Sequence, residues 1–176
     1  MKKLRQDDLG VADFEVGNEI IYDATTKSEI LKEQFSSVFT EENLDNIPDV
    51  GKTPTLSMSS IKITVNGVIK QLKALKPNKA CGPDEIPPWF SKVNVEEIAP
   101  VLTNIFQDSI DSGIVPSKWK KANVCGILKK GKKSDPANYR PISLTCVASK
   151  ILEHIVHSQV MKHLEQYDVL TDLQQL

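Results

Sequence analysis

Residues 124–144 constrain the fold of this chain more than any other stretch. Val124-Cys125-Gly126-Ile127-Leu128 is a short apolar run of strand character. It enters a turn crowded with charge, Lys129-Lys130-Gly131-Lys132-Lys133-Ser134-Asp135-Pro136. A second run, Asn138-Tyr139-Arg140-Pro141-Ile142-Ser143-Leu144, follows it. Glycine, Asp and Pro punctuate the turn, so the pattern predicts a β-hairpin with a positive tip. Arg140 then sits on the return strand near the same end. A site of this kind suits a polyanion held at close range, such as a triphosphate or a nucleic-acid backbone. Arginine offers a planar fork to phosphate oxygens, whereas lysine offers mobile point charges.

The charge distribution supports that reading. The chain has 176 residues and a formal net charge of −1, which conceals an asymmetry. Residues 1–60 carry 6 basic and 12 acidic side chains, residues 61–150 carry 15 and 7, and residues 151–176 carry 1 and 4. A basic middle between acidic ends points to an anionic partner. No apolar run approaches the roughly 20 residues of a membrane span, so no membrane partner is expected. The opening Met1-Lys2-Lys3-Leu4-Arg5-Gln6-Asp7-Asp8 lacks the apolar core of a signal peptide. Cys81, Cys125 and Cys146 are odd in number, widely spaced and free of any CxxC pattern. They read as small buried residues in a reducing compartment. An intracellular location, cytoplasm and/or nucleus, is the resulting expectation.

Periodicity organises the rest. Glu19 to Tyr22 reads as a short strand, and a first helix is expected from Ser28, with Ile30, Leu31, Phe35, Val38 and Phe39 as its apolar set. Residues 40–60, rich in Asp, Asn, Pro, Ser and Thr, read as a linker. A second helix starts after Thr64, a suitable N-cap, and presents Val65, Val68, Ile69, Leu72 and Leu75. Pro77 limits its end, and a turn-rich loop runs from Lys76 to Pro88. A third helix over about 95–112 places Ile98, Val101, Leu102, Ile105 and Phe106 on one face, with Gly113 as its C-terminal cap. The fourth begins near Thr145 with Val147, Ile151, Leu152, Ile155, Val156 and Val160. The fold class is therefore α+β, several helices around a basic β-hairpin. His154 and His157 share a helix face at i, i+3 without a third metal ligand at suitable spacing, which favours surface histidines.

At the hairpin the chain resembles the reverse transcriptases of non-LTR retrotransposons, jockey-type in particular. Trp119, the Val124–Leu128 strand, Lys129-Lys130-Gly131, Asn138-Tyr139-Arg140-Pro141-Ile142-Ser143-Leu144 and Lys150-Ile151-Leu152-Glu153 carry the resemblance. The upstream Leu75-Lys76-Pro77-Asn78-Lys79-Ala80-Cys81-Gly82-Pro83-Asp84 is similar to the loop that opens their polymerase domain. Glu33-Gln34-Phe35-Ser36-Ser37-Val38-Phe39-Thr40 is similar to their connector between endonuclease and polymerase.

The resemblance implies the fingers of a polymerase right hand, as an incomplete domain. Residues 1–60 would be a connector with one helix and a linker, and residues 61–176 the fingers and the start of the reverse transcriptase domain. It implies that Arg140 and one or other of Lys129 and Lys130 meet the triphosphate of an incoming dNTP. Lys79, Gly82, Pro83 and Asp84 would contact template RNA or single-stranded DNA, with Lys132 and Lys133 as general backbone contacts. Where family members commonly carry glycine, this chain has Glu85. Catalysis in the family uses two Mg²⁺ ions held by an Asp at a strand end and an Asp pair in a Tyr-x-Asp-Asp turn. Neither pattern occurs in the sequence, whose one Asp-Asp pair is Asp7-Asp8. Mg²⁺ would thus belong to the full-length enzyme, and this chain alone would lack catalytic residues and need palm and thumb segments as partners. A non-enzymatic nucleic-acid-binding remnant, or a pseudogene fragment, is the rival expectation.

Overall fold

The computed structural model describes residues 11–40 and 57–170. Most of the expected linker, residues 41–56, lies outside the described residues. Helices and two small antiparallel sheets share the chain, in keeping with an α+β class. By its contacts the chain divides into two compact units, Met1–Ile47 with Val124–Ser143, and Pro48–Asn123 with Leu144–Leu176.

The first unit opens with a hairpin of which the sequence signals only half. Strands β1 (Phe14–Val16) and β2 (Glu19–Ile21) pair antiparallel, Phe14 opposite Ile21 and Val16 opposite Glu19. Gly17 turns between them at φ 63°, the left-handed region glycine enters without steric cost. Helix α1 (Ala24–Ser36) begins four residues before the expected start. The Asp23 carboxylate caps it by accepting from the Thr26 N–H at 2.7 Å and the Thr26 hydroxyl at 2.8 Å. Those bonds favour the ionised form and hold the Asp23 pKa below its ordinary value. The helix ends at Ser36, so Val38 and Phe39 lie beyond it and are 66% and 79% exposed. Leu31 is its buried residue. Lys27 ties α1 to the segment before β1, donating to the Val11 carbonyl and the Asp13 carboxylate, both at 3.1 Å.

In the second unit, α2 (Val65–Ala74) has the predicted cap, the Thr64 hydroxyl accepting from the Gly67 N–H at 3.1 Å. A short helix α3 (Pro88–Val93) follows the turn-rich loop, with Pro88 at the first helical position, where a missing N–H costs nothing. Helix α4 (Val95–Ser112) ends at Gly113, which adopts φ 68° as a left-handed cap. Its buried face matches the expected one at Phe106, and at Ile98 and Leu102, which pack against the core, and departs from it at two positions. Val95, Ala99 and Phe106 enter the core, while Val101 and Ile105 are 57% and 39% exposed. Apolar residues flank both sides of this helix, so periodicity alone assigns the face ambiguously. Helix α5 (Val147–Gln166) buries Val147, Ile151 and Leu152 against Ile63, Val68 and Leu72 of the same cluster. Ile155, Val156 and Val160 are half-buried. Trp119 closes the cluster edge-to-face on Phe106, ring centroids 5.5 Å apart.

The loop between α2 and α3 is set by one close backbone approach. Gly82 is buried, and a Cβ there would stand 2.5 Å from the Cys146 nitrogen and 2.5 Å from the Thr145 carbonyl carbon. Real Cβ contacts are never so short with backbone, so only glycine fits. Three residues on, Glu85 adopts φ 57°, a left-handed conformation that disfavours side chains other than Gly, Asn and Asp. Glu85 thus holds a conformation that glycine would adopt without strain.

Of the three cysteines, only Cys146 is buried; Cys81 is half-buried and Cys125 exposed, a correction to the expectation that all three are core residues. Cys125 lies on a two-stranded sheet with too few layers to cover both faces. Burial, then the Asp84 negative charge, raises the Cys146 pKa above its ordinary value.

Two outcomes follow from this packing. Gly82→Ala should lower unfolding free energy by about 1–3 kcal/mol, read as a shift in urea midpoint at unchanged slope. A disulfide-exchange reagent at pH 8 should label Cys125 readily and Cys146 only on unfolding. The raised pKa also has a stability consequence. Cys146 contributes fully below the ordinary thiol range, and its contribution falls as pH rises from there through the folded value. Replacing it with Ala should flatten that alkaline decline in a pH series of melts.

Candidate nucleic-acid and nucleotide interface

The basic hairpin forms as the sequence predicts. Strands β3 (Ala122–Leu128) and β4 (Tyr139–Thr145) make the second sheet. The Lys129 N–H donates to the Asn138 carbonyl at 2.8 Å, closing the ladder at the tip. Side chains alternate along a strand, so Arg140 and Tyr139 take opposite faces of β4. Arg140 is exposed, as are Lys129, Lys130, Lys132 and Lys133.

The loop between the strands is longer than a tight turn and is held by its own hydrogen bonds. Gly131 turns at φ 87°, and a Cβ there would meet the Asn138 side chain at 2.7 Å. The Asn138 amide donates to the Lys132 carbonyl at 3.1 Å and to the Asp135 carboxylate at 3.2 Å. Asp135 also accepts from the Ala137 N–H at 2.9 Å, capping a 3₁₀ turn over Pro136–Asn138. The Tyr139 hydroxyl donates to the Lys133 carbonyl at 2.8 Å, and the Glu15 N–H to the Ser134 carbonyl at 2.8 Å.

These contacts decide the electrostatics. Three successive loop carbonyls, those of Lys132, Lys133 and Ser134, are bonded within the unit, which leaves the lysine side chains to project. The one carboxylate of the loop, Asp135, is occupied by backbone and amide donors. Among the described residues no ion pair engages Lys129, Lys130, Lys132, Lys133 or Arg140. Positive charge is therefore gathered at one end of the hairpin without a paired counter-charge.

Support comes from a segment that sequence reading left without assignment. Phe14 is fully buried and meets the Tyr139 ring edge-on, centroids 5.4 Å apart. Gly126 lies so close to Leu31 of α1 that a Cβ would stand 2.9 Å from its methyl group. Phe14 sits in a stretch too short for periodicity to detect, so no sequence signal marked it.

The remaining predicted residues lie in the second unit. Lys79 is exposed on the turn that follows α2. Gly82 faces the Thr145–Cys146 backbone, Pro83 is half-buried, and Asp84 stands beside the Cys146 thiol. The Asp84 carboxylate also accepts from the Ile86 N–H at 3.4 Å. The structure thus groups Lys129, Lys130, Lys132, Lys133 and Arg140 on one hairpin, and Lys79, Gly82, Pro83 and Asp84 on one loop. His154 and His157 are both exposed on α5. Among the described residues no group of three or more His, Cys, Asp or Glu is placed to hold a metal ion, and no helix is long and apolar enough to cross a membrane.

Comparison with known proteins gives two relatives. The chain is 28% identical over 136 residues to a probable RNA-directed DNA polymerase from transposon BS of Drosophila melanogaster, covering 76% of this chain. It is 28% identical over 107 residues to the RNA-directed DNA polymerase from mobile element jockey of the same organism, covering 60% of this chain. The matches span 15% and 12% of those proteins. No family model matches. The two relatives bear out the resemblance of this chain to the reverse transcriptases of non-LTR retrotransposons.

Proposed function

We propose that this chain is the fingers portion of an RNA-directed DNA polymerase, gripping template RNA and the phosphates of an incoming dNTP. The observation that carries the reading is the hydrogen-bonded loop 129–138, which projects four lysines beside Arg140 with no ion-pair partner among the described residues. The similarity to two transposon polymerases supports it.

The chemistry follows from charge. In phosphoryl transfer the protein acts by positioning and by neutralising negative charge as it develops. The Arg140 fork can take two phosphate oxygens at once, and Lys129 or Lys130 can follow the triphosphate as a point charge. Lys132, Lys133 and Lys79 would meet template phosphates, which position a strand without reading its sequence. In this reading the carboxylates that hold Mg²⁺ in such enzymes, and with them the bond-forming step, belong to a longer enzyme.

A binding-only role is the second reading, and the absence of a Tyr-x-Asp-Asp sequence favours it for this chain by itself. The two share their first test. The 176-residue chain should bind RNA and single-stranded DNA weakly and with little sequence preference. Log affinity should fall with log salt at about −0.7 per phosphate contact on single strands. Four contacts would mean a loss of about fiftyfold between 50 and 200 mM salt. Replacing Lys129, Lys130, Lys132 and Lys133 together with Gln should flatten that slope in anisotropy titrations; an unchanged slope places the binding surface elsewhere.

The second test separates nucleotide from template. In a longer chain that carries the palm carboxylates, Arg140→Ala should impair nucleotide use more than RNA affinity. A lost charge-assisted contact costs about 1.5–3 kcal/mol, or about 10- to 150-fold in catalytic efficiency. Arg140→Lys should recover only part of it, because the bidentate geometry is gone. Efficiency unchanged with RNA affinity collapsed would make Arg140 a template ligand.

A further inference from the structure

The short helix α3 of the second unit turns its apolar side to solvent. An ordinary surface helix buries its apolar residues and exposes its polar ones; here the sides are reversed. Pro88 and Ser91 are buried, Ser91 to 6% exposure. Trp89, Phe90 and Val93, whose spacing places them on one helix face, are 52%, 44% and 75% exposed. Ile86, just ahead of the helix, is exposed as well. The Trp89 and Phe90 rings meet edge-to-face, centroids 6.0 Å apart, so they form one ridge. Exposed carboxylates bracket that ridge along the chain, Glu85 before it and Glu96 and Glu97 after it. The one cation of α3, Lys92, is held by the Leu75 carbonyl, to which it donates at 2.9 Å.

We propose that the Trp89–Phe90–Val93 ridge docks an amphipathic helix of another protein, one with an apolar stripe flanked by lysine or arginine. A contiguous exposed aromatic patch rimmed by polar residues marks an interaction surface, and Trp is among the side chains that anchor such contacts. The partner's stripe, read at i, i+3, i+4 and i+7, takes the two rings between its own apolar side chains. Charge selects the occupant. A basic flank meets Glu85 and Glu97 as opposite charges, while Glu96 is already paired with Lys73 at 3.3 Å. A second copy laid on the ridge about a two-fold axis would set these carboxylates against their own kind. A nucleic acid would set phosphates against them. Helix α3 carries neither the lysine loop nor Arg140, so this role is independent of the fingers reading.

Anisotropy titrations of the 176-residue chain test this with three labelled probes: a helical peptide with a leucine stripe flanked by lysine, the same peptide with glutamate in place of lysine, and a short oligouridylate. The lysine peptide should saturate and bind about tenfold or more tightly than the glutamate peptide. Trp89→Ala removes the aromatic anchor and should weaken the lysine peptide by about tenfold or more. Val93→Lys, at the most exposed position of the ridge, provides a second route by setting a like charge against the partner. Both variants should melt as the parent does, because these side chains lie largely outside the core. Glu85→Lys together with Glu97→Lys should transfer the preference to the glutamate peptide. Equal affinity for the two peptides overturns the proposal, as does undiminished binding in Trp89→Ala and Val93→Lys. Failure of the parent chain to bind the lysine peptide overturns it too. Self-association in sedimentation that Val93→Lys abolishes makes a second copy the occupant and overturns it. Oligouridylate binding that Trp89→Ala abolishes makes the ridge a nucleic-acid surface, with the same result.

Discussion

The anchoring of Tyr139 governs the basic hairpin. Its ring meets the buried Phe14 edge-on at 5.4 Å, and its hydroxyl holds the Lys133 carbonyl at 2.8 Å. An edge-to-face aromatic pair adds about 0.5–1.5 kcal/mol beyond the area it buries. A neutral hydrogen bond adds about 0.5–1.5 kcal/mol. Each is small, yet both act on the residue that separates the lysine loop from Arg140. A flexible ten-residue loop of lysines would spread its charge to reduce repulsion. Fixing three successive carbonyls inward keeps the charges together at a modest cost, because exposed charges repel weakly in water.

The same economy of contact shapes the second unit. Backbone meets backbone at Gly82 and Thr145–Cys146, which brings the loop after α2 against the start of α5. Asp84 then stands beside the Cys146 thiol, where its charge adds to burial in raising the thiol pKa. A glycine expected to help RNA approach thus has a structural duty, and so does its neighbour carboxylate. Lys79 is exposed on that loop, as are Lys76 and Glu85, and it shares the rim of an aliphatic cleft with Lys76, Lys150 and His154.

Two kinds of positive surface result, and they differ physically. The hairpin offers charge on a projecting loop, where long-range attraction and phosphate contact dominate. The cleft combines charge with concave apolar surface, where shape and desolvation contribute.

Local chemistry made the hairpin, the Thr64 cap, the Gly113 cap and the buried residues of α5 legible from sequence, because each depends on residues within a few positions of one another. The lysine cluster and Arg140 were legible for the same reason. Helix α1 was read late because its capping signal, Asp23 with Thr26, precedes the apolar run that first suggests a helix. Helix α4 shows a different limit: apolar residues on both sides of its stripe left Val101 and Ile105 as plausible as Ala99, and only the packing of Phe106 and Val95 with α2 and α5 chose the face. Phe14 against Tyr139, Gly82 against Cys146 and the rim of Lys76, Lys79 and Lys150 join residues tens of positions apart. Sequence by itself determined which elements form and where positive charge accumulates. Tertiary structure alone decided which side chains meet, since a long-range contact depends on the whole backbone path and leaves no periodic trace in the residues that make it.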